Sequence, residues 1–134
     1  MKIEDQPPPV ANSSKPVWEL VIADIKNAYD KQTKVLLSGE MGKRLADIVV
    51  ADMRDRDRVG RERYGTPLQA HNGRDALVDA YQECLDAVVY LRQAHEEMDR
   101  HAAHTEPVCG AYTMAVNTML QVRVAILCRE EAMS

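Results

Sequence analysis

The sequence predicts an all-α fold, a four-helix bundle, on three observations. Aromatic residues are few and Phe is absent, while Ala, Leu, Val, Met, Arg and Asp are plentiful, a composition that favours helix over sheet. Apolar residues recur at helical spacing in four successive stretches. Short segments separate these stretches, so consecutive helices are expected to lie antiparallel. At 134 residues the chain is expected to hold one helical domain, residues 14–134, behind a tail.

Residues 1–13 are that tail. The run Pro7-Pro8-Pro9 and the lack of periodicity predict disorder or a loosely docked arm with no chemistry of its own. A first helix is expected from Pro16, a proline suited to a helix N-terminus, with Trp18, Ile22, Ile25, Tyr29 and Leu36 on one face and an end at Ser38-Gly39. The second is expected from Glu40 to Arg63, with Leu45, Ile48, Asp52, Asp55 and Val59 on its core-facing stripe. Two aspartates therefore occupy positions that a structural helix gives to apolar residues.

Tyr64-Gly65 closes the second helix, and a loop through Asn72-Gly73 leads into a third that runs to Gln93. Asn72 is expected to cap it, with Asp75 at the third helical position completing a capping box. Leu77, Tyr81, Cys84, Val88 and Leu91 form its apolar stripe; beside them Ala76, Ala80, Glu83, Ala87 and Tyr90 form a second, with Asp86 one turn from Glu83. Thr105-Glu106-Pro107 starts the fourth helix, whose stripe is Val108, Tyr112, Ala115, Met119, Val122 and Ile126.

Charge and cysteine usage narrow the function classes. Seventeen basic against twenty-one acidic residues give a net charge of −4, against the basic surplus of a general nucleic-acid binder. Cys84, Cys109 and Cys128 lack metal-type spacing and read as buried thiols of a reducing compartment. No signal peptide is visible and no apolar run approaches the roughly 18 residues of a membrane span, so a cytoplasmic protein is expected.

Folding the second helix back against the third brings Asp55 opposite Glu83 and Asp52 opposite Asp86 in one register. Four carboxylates at one level repel: at an effective dielectric near 20, each close pair costs about 4 kcal/mol at ~4 Å. Arginines must neutralise them, or they must protonate, or they must hold a cation. Hard oxygen donors suit Mg²⁺, with Mn²⁺ as substitute, and Mg²⁺ binds one or two carboxylates together with substrate phosphates. The expected activity is then metal-assisted hydrolysis of a polyphosphate.

Glu83-Cys84-Leu85-Asp86, within YQECLDAVVYLRQ, resembles the ExxD half of the MazG-like all-α nucleoside triphosphate pyrophosphohydrolases, whose other half is an ExxE on the preceding helix. The run from Arg61 to Gln93, with its YGTPLQ and NGRD segments, is similar to small phage-type and bacterial proteins grouped with that superfamily. The resemblance implies hydrolysis between the α and β phosphates, Mg²⁺ as cofactor and a homodimer or larger homo-oligomer. It implies that Glu83 and Asp86 are catalytic and, with Asp52 and Asp55 in the place of the ExxE, ligate the metal. The upstream acids are each one methylene shorter than the family's Glu, and Glu62 is the alternative upstream acid.

The groups around this candidate site each have two readings. Arg58 is either a surface ion-pair partner or a phosphate contact. Asn72 and Arg74 stand where a helix N-terminus favours anions. Tyr64 either stacks on a base or packs at a helix end. Lys43 and Arg44 are equally open, whereas His95, His101 and His104, among Glu96, Glu97 and Asp99, read as solvated. The sequence thus points to a Mg²⁺-dependent nucleoside triphosphate pyrophosphohydrolase acting on neither nucleic acid nor membrane. The alternative is a noncatalytic helical interaction or regulatory protein.

Overall fold

The computed structural model describes residues 6–30, 39–99, 101 and 105–134. Leu36, the side chain of Tyr29, Ser38 of the expected first-helix end, His104 and the first five residues of the tail lie outside the described residues. The chain is all-α, with α1 Val17–Asp30, α2 Gly39–Tyr64, α3 Ala76–Glu97 and α4 Thr105–Met133. It divides into two compact units that meet between Arg74 and Asp75 in sequence.

The first unit packs α1 on α2. Ile22 is buried, with Trp18 and Ile25 half-buried beside it, as their spacing predicts. The face α2 covers is not the predicted one. Gly42 and Val50 are buried and Ala46, Val49, Met53 and Asp57 half-buried, whereas Leu45, Ile48, Asp52, Asp55 and Val59 are exposed. The physical reason is that α2 is apolar on two sides. Its small residues, Gly42 and Ala46, belong to the covered stripe, where a bulky neighbour can approach the backbone. Gly65, at φ +71, ends α2 in the left-handed conformation, its N–H donating to the Arg61 carbonyl at 2.8 Å.

Residues 6–14 dock on the loop after α2, and Gln69 is the centre of the contact. Its Oε1 accepts from Asn12 N at 3.0 Å, and its Nε2 donates to the carbonyls of Asn12 and Ser14, both at 2.6 Å. Asn12 Nδ2 donates to the Ala70 and His71 carbonyls, Val10 N to Asn72 O, and Arg74 Nη1 to Pro7 O. Pro16 and Gln69 form an isolated antiparallel bridge, and the otherwise orphaned Val17 N–H at the start of α1 donates to Leu68 O at 2.7 Å. Gln69 and Asn72 are thereby buried polar residues, 6% and 7% exposed. The arm buries little apolar surface, Val10 being 66% exposed.

The second unit is an α3–α4 hairpin. The predicted stripes meet in it: Leu77, Tyr81, Cys84, Val88 and Leu91 of α3 are all half-buried, as are Val108, Tyr112, Ala115, Met119 and Val122 of α4, and Ile126 is fully buried. Arg92 lies over the Tyr112 ring at 5.9 Å. The far side of α4 carries exposed Met114, Leu120, Val124 and Leu127. Contrary to the sequence expectation, α4 is long and apolar enough to cross a membrane by length and composition alone. A helix apolar around most of its circumference is also what a protein interior or an oligomer contact covers. The interspersed Thr113, Asn117, Thr118 and Gln121 hide this run from a search for unbroken apolar sequence.

Candidate functional site

Each unit contributes one pair of the predicted acids. Asp52 and Asp55 stand one turn apart on the exposed face of α2, among the exposed Leu45, Ile48 and Val59. Glu83 and Asp86 stand one turn apart on the exposed face of α3, followed by the exposed Val89 and Tyr90. The acids therefore do not lie against the helix that covers their own.

Asp55 differs from the other three. Its Oδ1 accepts from Arg58 Nη2 at 2.8 Å and from Nε at 3.2 Å, while Arg58 Nη1 reaches Glu62 Oε1 at 2.8 Å. Asp55 first and then Glu62 raise the Arg58 pKa above its ordinary value. Arg58 thus spends its fork along its own helix, and Glu62, the alternative upstream acid, is tied into the same network. Asp52, Glu83 and Asp86 make no ion pair among the described residues.

Among the described residues no three His, Cys, Asp or Glu side chains gather as a metal-holding group. Either carboxylate pair alone has the donor chemistry of the Mg²⁺ mode that takes one or two carboxylates and completes its shell with water and phosphate oxygens. The fit is to that mode and not to an all-protein cage.

The loop residues lie in the first unit. Asn72 does not cap α3: its Oδ1 accepts from Arg74 N at 3.0 Å, an Asx-type turn that Gly73 completes at φ +86. Asp75 is the cap, accepting from Leu77 N at 3.1 Å and Val78 N at 3.3 Å. Two good capping residues stand three apart, and the left-handed glycine between them delays the helix to the second. Arg74 directs one guanidinium N–H to the Pro7 carbonyl at 2.9 Å. Tyr64 is 53% exposed with Arg63 over its ring at 5.3 Å, so it is not the packed aromatic of a helix end. Lys43 and Arg44 are exposed on α2, His101 is exposed, and His95 is half-buried with Nδ1 lacking a hydrogen-bond partner.

Three groups escape the sequence reading. Gln69 and Asn12 lock the arm, and Arg129 clasps Asp75 through Nη1 to Oδ1 at 3.0 Å and Nη2 to Oδ2 at 2.7 Å. Arg123, on the covered side of α4, keeps a buried Nη1 without a partner and is a cation in the unit that carries Glu83 and Asp86. Its place between Val122 and Val124 in an apolar run is the signal that could have singled it out.

No family model, curated protein or solved structure matches this chain.

Proposed function

We propose that this chain is a Mg²⁺-dependent nucleoside triphosphate pyrophosphohydrolase of the MazG-like all-α type. The observation that carries the reading is the setting of Glu83 and Asp86: exposed, unpaired, one turn apart, and followed by exposed Val89 and Tyr90. Asp52 repeats the combination with Ile48 and Val59. Acids bordered by apolar surface suit a site that is covered when assembled, and this supports a homodimer or larger homo-oligomer.

In this reading Asp52, Asp55, Glu83 and Asp86 supply hard oxygen donors, with Glu83 and Asp86 nearest the chemistry. Bound Mg²⁺ would polarise the phosphoryl oxygen and lower the pKa of the attacking water. That water attacks the α-phosphorus; its oxygen stays on the nucleoside monophosphate, its proton passes to Glu83 or Asp86, and the bond to the bridging oxygen breaks as pyrophosphate leaves. Asn72 and Arg74 would hold phosphate and Tyr64 would offer a stacking surface. Arg58 would exchange its Asp55 and Glu62 contacts for phosphate.

A second reading, a noncatalytic helical interaction protein, is favoured by the neutralisation of Asp55 by Arg58 and by the exposed apolar side of α4. Pyrophosphate detection with the eight common nucleoside triphosphates and Mg²⁺ separates the two. Pyrophosphate release that Glu83→Gln abolishes supports the enzyme. Absence of release with all eight, and of any Mg²⁺ or Mn²⁺ thermal stabilisation, supports the interaction protein.

A further inference from the structure

We propose that residues 6–14 are a reversible strap closed over the 68–74 loop, with Gln69 as its latch. Gln69 spends its primary amide on the arm: its oxygen accepts from Asn12 N and its nitrogen donates to Asn12 O and Ser14 O. These contacts read backbone rather than side chain, so they hold an extended chain as a neighbouring strand would. The strap returns the favour through Asn12 Nδ2 on the Ala70 and His71 carbonyls, Val10 N on Asn72 O, and Pro7 O under Arg74.

Two features make this fastening reversible. Its attachments are polar groups that water can replace, because Pro7, Pro8, Val10 and Asn12 are exposed and little apolar surface is lost on opening. The run Pro7-Pro8-Pro9 is stiff before docking, so closing orders less chain than nine ordinary residues would. Opening turns the Gln69 amide, the carbonyls of residues 70–72 and one Arg74 N–H outward. That the loop then becomes open to a nucleotide rests on the proposed function; the strap itself does not.

The test is residue-resolved amide hydrogen exchange by NMR on the full chain and on Gln69→Ala. In the wild type, the Val10 and Asn12 amides should exchange at matching opening rates and about ten-fold or more faster than Val50 inside α2. Gln69→Ala removes bonds to Asn12 and Ser14 only, yet Val10, bonded to Asn72, should lose about ten-fold protection with Asn12 while Val50 keeps its own. Asn12→Ala, at an exposed position, should deprotect Val10 in the same direction and covers the case in which Gln69→Ala folds poorly. Val10 protection unchanged in both variants would show separate contacts and no strap. Exchange of Val10 and Asn12 as slow as that of Val50 in the wild type would show an arm that does not open. Either result overturns the proposal, whatever a hydrolysis assay finds.

Discussion

Asp75 and Arg129, 54 residues apart, are joined by a two-pronged hydrogen bond that also fixes the register of the α3–α4 hairpin. Asp75 caps α3 with the same carboxylate, so one side chain starts a helix and ties it to the last turns of its neighbour. Arg92 over Tyr112 falls in the same antiparallel register at the other end. Together the two contacts align the apolar stripes of both helices along their length.

The clasp predicts a pH dependence. Hydrogen bonding from Arg129, first, and then from the Val78 and Leu77 N–H groups holds the Asp75 pKa below its ordinary value, with slight burial opposing. A carboxyl whose folded pKa lies below its unfolded one stabilises the fold fully above the unfolded value, about 3.9, and loses that stabilisation as pH falls through the folded pKa. Urea unfolding followed from pH 7 to pH 2 should show this loss beginning near pH 4, and Arg129→Met should flatten it. Asp75→Ala should cost about 1 kcal/mol at pH 7 through the lost cap alone. An Arg129→Met acid limb identical to the wild type would show that the clasp does not depress Asp75.

The hairpin was legible in the sequence because the large apolar residues of α3, Leu77 to Leu91, share one stripe beside smaller and acidic ones, and the evenly spaced Val108 to Ile126 set of α4 is the covered one although Met114, Leu120, Val124 and Leu127 lie on its other side. In α2 two stripes compete. Leu45, Ile48 and Val59 are more apolar by residue type, but Gly42, Ala46, Val49, Val50 and Met53 are the covered set. Side-chain size at the contact decides the face, and a periodicity count does not weigh it. The loosely docked arm was one of two expectations for residues 1–13, but the way it is held was illegible for a different reason. It is held through backbone groups and two amide side chains, which leave no apolar pattern. The candidate acids were readable as residue types and as pairs at helical spacing. Their solvent exposure was not, because it follows from the face that α2 and α3 turn to α1 and α4.

Glu83→Gln and Asp86→Asn should leave thermal stability without metal within about 0.5 kcal/mol of the wild type, because both acids are exposed surface positions. Both should weaken Mn²⁺ binding in titration calorimetry. Unchanged Mn²⁺ affinity in both variants would remove the α3 pair from the metal site.

The outer side of α4 predicts the assembly state. Met114, Leu120, Val124 and Leu127 lie exposed along one side, and no Asp, Glu, Lys or Arg interrupts residues 107–122. Covering such a side stabilises an oligomer at roughly 25 cal/mol per Å² of apolar area removed from water. Light scattering coupled to size exclusion should report a dimer or larger, and Leu120→Glu should reduce it to the monomer. A wild-type monomer at concentrations of about 100 μM, where a micromolar dimer would be nearly saturated, would rule the assembly out.

The bond broken is the most specific claim about the reaction. Attack by water on the α-phosphorus leaves the new oxygen on the nucleoside monophosphate, whereas attack on the γ-phosphorus leaves it on orthophosphate. Hydrolysis in ¹⁸O-labelled water should therefore place the label in the monophosphate, read by mass spectrometry. The same assay separates the roles of the residues. Asp86→Asn should lower turnover about a hundred-fold or more with little change in stability, since the loss falls on charge that develops in the transition state. Arg74→Ala should chiefly raise KM, because a phosphate contact made equally in ground and transition states changes binding and not the chemical step. Label in orthophosphate would move the attack to the γ-phosphorus and discard the pyrophosphohydrolase assignment, even if Glu83 and Asp86 proved to hold the metal.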